Sequence, residues 1–111
     1  MKVLKRNAIK AFKVFNSDWT CMGFKYQVGE SYKHKGKIKP CQSGFHCCKK
    51  LVDCFNYYRF NPENKVAEVL IWGQIEEKGD KFATSQIQII RELNWHEVLD
   101  LVNLGSNNTG K

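Results

Sequence analysis

The chain has 111 residues, 18 basic and 11 acidic, for a formal charge of +7, with 42% hydrophobic and 13% aromatic residues. So many large apolar side chains amid mixed charge exclude a disordered chain, and the length allows one core and no second. No run approaches the ~18–20 apolar residues of a membrane span, and the basic residues 1–13 lack the apolar stretch of a secretory signal, so a soluble, intracellular protein is expected.

Residues 8–15 alternate, with apolar side chains on both faces, and predict a partly buried strand. Asn16-Ser17-Asp18 is a turn signal. Phe24, Tyr26 and Val28 at spacing two, then Gly29 and Tyr32, predict short extended pieces, with Lys35-Gly36 suited to a tight hairpin. After Pro40, residues 43–48 read as extended, with Phe45 and Cys47 on one face and His46 and Cys48 on the other. Leu51, Cys54, Phe55 and Tyr58 at i, i+3, i+4 and i+7 predict an amphipathic helix over 49–58, stopped at Asn61-Pro62.

Residues 66–75 are apolar on both faces and predict a central strand, with Gly73 as a bulge or a point of close approach. Lys78-Gly79-Asp80 is a turn, and 82–91 a further strand. Asn94 is a good helix N-cap, with Glu97 placed to complete a capping box. Trp95, Val98, Leu99 and Val102 then form the face expected to pack on the sheet, and Gly105 is expected to close the helix. The pattern reads as α+β: a small mixed or antiparallel sheet of four to six strands, one internal helix and one C-terminal helix. Residues 1–105 form the domain and 106–111, small and polar, a flexible tail.

Charge is uneven along the chain. Residues 1–50 carry +10 and residues 51–111 carry −3. Lys33, Lys35, Lys37 and Lys39 recur at every second residue, so their ammonium groups are expected to crowd together, where they repel unless an anion is near. With Tyr26 and Tyr32 they are the candidate binding residues, because cations interleaved with aromatics suit single-stranded nucleic acid. The same aromatics suit a small core, and exposed lysines also protect a sheet edge.

Five cysteines without a secretion signal read as buried free thiols. The alternative is a zinc site on Cys21, Cys41, His46 and Cys48, sulfur and imidazole being the ligands zinc prefers. Glu68, mid-strand between Ala67 and Val69, must be paired, solvated or proton-tuned. No phosphate-binding glycine loop, HExxH, GxSxG or DNA-reading helix occurs, which points away from an enzyme.

Several segments together resemble an uncharacterised domain family of bacteriophages, prophages and bacteria. They are the Cys-x-Gly-Phe-x-Tyr-x-Val-Gly run from Cys21 to Gly29, the Cys-x-Ser-Gly-Phe-His-x-Cys run from Cys41 to Cys48, and Asp53 with Tyr57-Tyr58. Ala67-Glu68-Val69 and Gly79-Asp80-Lys81 complete the pattern. The resemblance spans roughly residues 8–93 and implies a viral or mobile-element origin. The order of segments is also similar, more faintly, to ADP-ribosyltransferases. Phe45-His46-Cys47 stands where that family has Ser-Thr-Ser, and its Glu-x-Glu is absent.

The expected function is therefore that of a small basic phage or mobile-element interaction protein in the host cytoplasm. It would bind a host or defence protein, or that protein's nucleic-acid complex, possible inhibition of a nucleic-acid-handling complex included, with no membrane partner and no cofactor. The alternative, which the second resemblance implies, is an ADP-ribosyltransferase-like or nucleotide-binding domain. It would take NAD and use His46, Tyr58 and Glu68 as site residues.

Overall fold

The two longest apolar, β-branched runs of the sequence become its two longest strands. A computed structural model describes residues 1–39, 43–59 and 61–107. Its strands are β1 (Lys2–Val3), β2 (Ile9–Phe15), β3 (Thr20–Cys21), β4 (Phe24–Lys25), β5 (Ser31–Lys33), β6 (Phe45–Cys48), β7 (Lys65–Lys78) and β8 (Lys81–Glu92). Two α-helices, α1 (Leu51–Cys54) and α2 (Trp95–Asn107), and a 3-10 turn at Lys5–Asn7 complete the described residues.

β7 and β8 form a long hairpin. One edge of β7 carries β2, from Ile9 opposite Ile71 to Phe15 opposite Lys65, and then β1. The far edge of β8 carries β6, from Phe45 opposite Thr84 to Cys48 opposite Lys81, and then β5. β6 returns to β2 at a single pair, Phe12 with Cys48. The antiparallel pairings thus run β2–β7–β8–β6 and back to β2, closing a small barrel.

Closure explains strands that are apolar on both faces. Inward side chains Ala11, Phe15, Val69, Ile71, Ile87 and Ile89 fill the barrel. Outward side chains Val14, Cys48 and Val66 meet Leu51, Cys54 and Val98 of the two helices. Gly73 supplies the bend that a barrel needs. It sits at a register shift between Trp72 and Ile75 with φ +81°, and a Cβ there would lie 2.4 Å from Ser85 Oγ. Both readings of this glycine hold. Ser85 Oγ also accepts the Gln74 N–H at 2.9 Å, which limits its room to move.

The α+β expectation is corrected. About 48% of the chain is strand and 16% helix, so the protein is a β-rich barrel with two short flanking helices. Closure needs one outer flank covered, not a helical layer. The helix expected over 49–58 is one turn, Leu51–Cys54. Beyond it the Phe55, Asn56 and Tyr57 N–H groups bond three residues back, and the Asn56 and Tyr57 side chains both reach the Asp80 carboxylate. Those bonds draw the chain toward the β7–β8 turn and off the helical path. Lys35-Gly36 closes no hairpin: Gly36 has a positive φ, but β5 pairs with β8 instead.

The capping box at α2 is as expected. Glu97 N–H donates to Asn94 Oδ1 at 2.9 Å and Asn94 N–H to Glu97 Oε1 at 3.2 Å. Its buried face differs by one residue. Val98 is fully buried with Trp95, Leu101 and Val102 packed beside it, whereas Leu99 is 46% exposed. α2 continues past Gly105 to Asn107, and residues 108–111 of the expected tail lie outside the described residues. No helix is long and apolar enough to cross a membrane among the described residues.

Two predictions follow from this packing. Val98→Ala should cost roughly 2 kcal/mol in urea melts, from lost methyl burial plus a cavity, while Leu99→Ala should stay within about 0.5 kcal/mol. The reverse order would place the other face of α2 on the barrel. Gly73→Ala should cost roughly 1–3 kcal/mol, because alanine is strained at this φ and its methyl meets Ser85. An unchanged melt would show that the bulge tolerates a side chain.

Candidate functional site

β2 and β6 share one residue pair, so the barrel wall parts beside it. The side chain of Lys13, one residue beyond Phe12, crosses the gap. Its ammonium donates to the His46 carbonyl at 2.6 Å, where continued pairing would have placed a backbone amide. A cleft of about 410 Å³ opens over this seam. Its floor is Lys13, Tyr26 and Phe45, and Tyr58 and Cys21 form a side wall with hydroxyl and thiol 3.4 Å apart.

The rim comes from three other places. The end of β5 brings Lys33, His34 and Lys35, and the β7–β8 turn brings Lys81. The β3–β4 hairpin brings Met22, 87% exposed, and Phe24, 42% exposed. Met22 holds a φ of 51° and Trp19, just before the hairpin, 67°, a conformation uncommon for bulky side chains. Phe24 packs edge-on against Tyr32 and Phe45 and tilted on Tyr26, which fixes its ring.

Four lysines and two histidines line the cleft, and none of the lining residues is acidic. Lys13 is only 3% exposed, and among the described residues no carboxylate pairs with it. Its ammonium lies 5.5 Å from the ring centre of Tyr26 and 5.7 Å from that of Phe15. The nearest acid on the β7–β8 turn, Asp80, is held by Tyr57 and Asn56, bonds that keep its carboxyl below the usual range. Burial, then the charges of Lys81 and Lys13, lowers the His46 pKa. Burial raises the hydroxyl pKa of Tyr26 and of Tyr58, so both stay protonated at neutral pH and can donate hydrogen bonds. The cleft is thus cationic, with neutral hydroxyl groups beside its lysines.

Of the residues singled out from sequence, Tyr26, Lys33, Lys35, His46, Tyr58 and Cys21 meet in this cleft. Tyr32 stands behind it, packed on Tyr26 and Phe24, its hydroxyl accepting the Gln27 N–H at 2.8 Å. Lys37 borders a separate cavity beside Gln74 and Glu76, whereas the Lys39 backbone pairs with Ser43 and bonds the His46 ring at the edge of the cleft, so Lys37 stands apart from the others. Glu68 lies outside the cleft and forms ion pairs with Lys10 at 3.1 Å and Arg91 at 3.8 Å; His46, Tyr58 and Glu68 are not assembled into one site.

Of the zinc candidates, Cys21 and His46 line the cleft, Cys48 packs on the outer flank with Cys54, and Cys41 lies outside the described residues. Among the described residues no group of three or more metal-ligating side chains occurs. Cys21, Cys47, Cys48 and Cys54 are free and buried.

Sequence reasoning passed over Lys13 and Lys81. Lys13 carried a signal: it shares the inward parity of Ala11 and Phe15, where a charge must find a reason to stay. Lys81 carried none, because its place on the rim depends on barrel closure.

A family model described as a domain of unknown function, DUF7666, matches residues 9–101, which include all of the residues that line the cleft. The chain belongs to that family. No curated protein and no solved structure matches it.

The lowered His46 pKa makes a prediction. Its imidazole should titrate below the ordinary 6.5 by NMR, and Lys81→Gln should move the midpoint upward. The unfolded chain then binds the proton more readily, so this contribution to stability is present above pH 6.5 and is lost as pH falls through the folded value. His46→Gln should flatten that dependence. A midpoint above 6.5 would mean that burial and the two lysines do not govern the ring.

Proposed function

We propose that this DUF7666 protein is a non-enzymatic binding module whose basic cleft engages single-stranded nucleic acid carried by a host or defence complex. The observation that carries the reading is the cleft itself: four lysines and two histidines lining one opening without a carboxylate. Such a cluster of cations draws a polyanion and releases its counterions on binding. The fixed, half-exposed ring of Phe24 at the rim offers a face on which a base can stack. The resemblance of its Cys21–Gly29 and Cys41–Cys48 runs to phage and prophage domains supports a mobile-element origin, action in the host cytoplasm and an inhibitory role against a nucleic-acid-handling complex.

A second reading, an ADP-ribosyltransferase-like domain taking NAD, has His46 and Tyr58 in the cleft to support it. Its carboxylate, Glu68, is neutralised elsewhere by Lys10 and Arg91, which favours binding over turnover.

Fluorescence anisotropy with a labelled single-stranded oligonucleotide at two salt concentrations tests the proposal. Affinity should fall steeply with salt, and Lys33→Ser with Lys35→Ser should weaken binding by about tenfold and flatten the salt dependence while leaving the melting temperature unchanged. Lys37→Ser, on a separate cavity, should do much less. An equal loss from Lys37→Ser would indicate diffuse charge attraction, and no binding at low salt would remove the reading.

A further inference from the structure

Resting on the nucleic-acid reading above, we infer that the cleft is a terminal-phosphate pocket, in which the Lys13 ammonium at the floor binds the phosphomonoester of one nucleotide whose base rests on Phe24 at the rim. Three observations converge on this. The first is the charge on the floor. An ammonium has three donors, and that of Lys13 gives one to the His46 carbonyl and otherwise faces the rings of Tyr26 and Phe15. Ring faces offset only part of the cost of burying a charge. An oxyanion would supply the missing acceptors.

The second is shape. At about 410 Å³ the cleft falls in the ~300–1,000 Å³ range of small-ligand sites, room for one nucleotide. Below the floor the barrel is filled by Phe15, Ile87 and Ile89, each at most 2% exposed, so the cleft is blind. A strand's end reaches the floor of a blind cleft more readily than its interior, which must bend to enter. The third is charge matching. A phosphomonoester carries close to two negative charges and three acceptor oxygens, whereas a backbone phosphodiester carries one charge. Lys13, the rim cations Lys33, Lys35 and Lys81, and the Tyr26 and Tyr58 hydroxyls favour the more highly charged group.

The same phosphate could come from a free nucleoside monophosphate or from the phosphorylated end of a single strand, and binding measurements separate these sources. Titrate the unaltered protein with adenosine, AMP, and a short single-stranded oligonucleotide bearing a 5′-hydroxyl, a 5′-phosphate or a 3′-phosphate. The terminal phosphate should tighten binding at least tenfold. A gain with AMP alone would assign free nucleotide, and a gain with the strands would assign a strand end. Lys13→Met should erase the gain, whereas Lys33→Ser with Lys35→Ser should weaken all strands and reduce the gain only in part.

A readout that needs no variant is His46. Bound phosphate should raise its NMR titration midpoint, and adenosine should not. Equal affinity for phosphorylated and unphosphorylated ligands on the unaltered protein would overturn the inference even where Lys13→Met fails to fold. If the strands bind in a salt-sensitive manner without that preference, the terminal-phosphate pocket falls and nucleic-acid binding stands. If AMP binds through Lys13 and no strand binds, the pocket stands and strand binding falls.

Discussion

One backbone pair, Phe12 with Cys48, turns the strands into a barrel. Without it β6 would hang from β8 alone and the Phe15–Tyr26–Phe45 cluster would face water. Because the contact is a single pair, the wall is shut at one residue and parted at the next. Lys13 occupies that parting and ties the two strands through its bond to the His46 carbonyl. The side chain that completes the seam is therefore also the charge at the floor of the cleft. An apolar residue there would remove the bond to the His46 carbonyl, and a short one would leave a hole.

The outer flank is held by a different device. Arg91 on β8 reaches Glu68 on β7 at 3.8 Å and Glu97 of the α2 capping box at 2.9 Å, so one guanidinium joins the hairpin to the first turn of the helix. The cysteines distribute themselves across the wall. Cys47 points inward, its thiol pushed up to about 12 by burial, and Cys48 points outward beside Cys54. Neighbours on opposite faces of a strand cannot approach disulfide geometry, and these thiols pack as small apolar groups.

The extent to which the sequence revealed this molecule follows from which features are local. β2, β7 and β8 were legible because strand alternation is written residue by residue, and the Asn94–Glu97 box because a cap involves four consecutive residues. Barrel closure was not legible: strands apolar on both faces fit a layered sheet and a helix-flanked barrel equally well. Leu99 and Leu101 satisfy similar helical spacings, and only the contact with Leu51 and Cys54 decides for Leu101. The contrast between a basic and an acidic half of the chain dissolves on folding, because β2 from the first half pairs with β7 from the second and Lys10 meets Glu68 across that boundary. Part of the cleft was visible in Cys21, Tyr26, Lys33, Lys35, His46 and Tyr58. The rest needed the third dimension.

The position of β2 between β6 and β7 sets the order of assembly. β2 lies near the start of the chain, yet its partners on β7, Lys65 to Ile71, follow fifty or more residues later. The β7–β8 hairpin is the one long pairing between neighbours in sequence, so it can form early, whereas β2 must close a large loop before it gains a contact. On the ribosome the amino-terminal strand therefore waits, exposing Ala11, Val14 and Phe15 until the hairpin has emerged. The cleft, seated where β2 and β6 meet, therefore depends on that long-range closure.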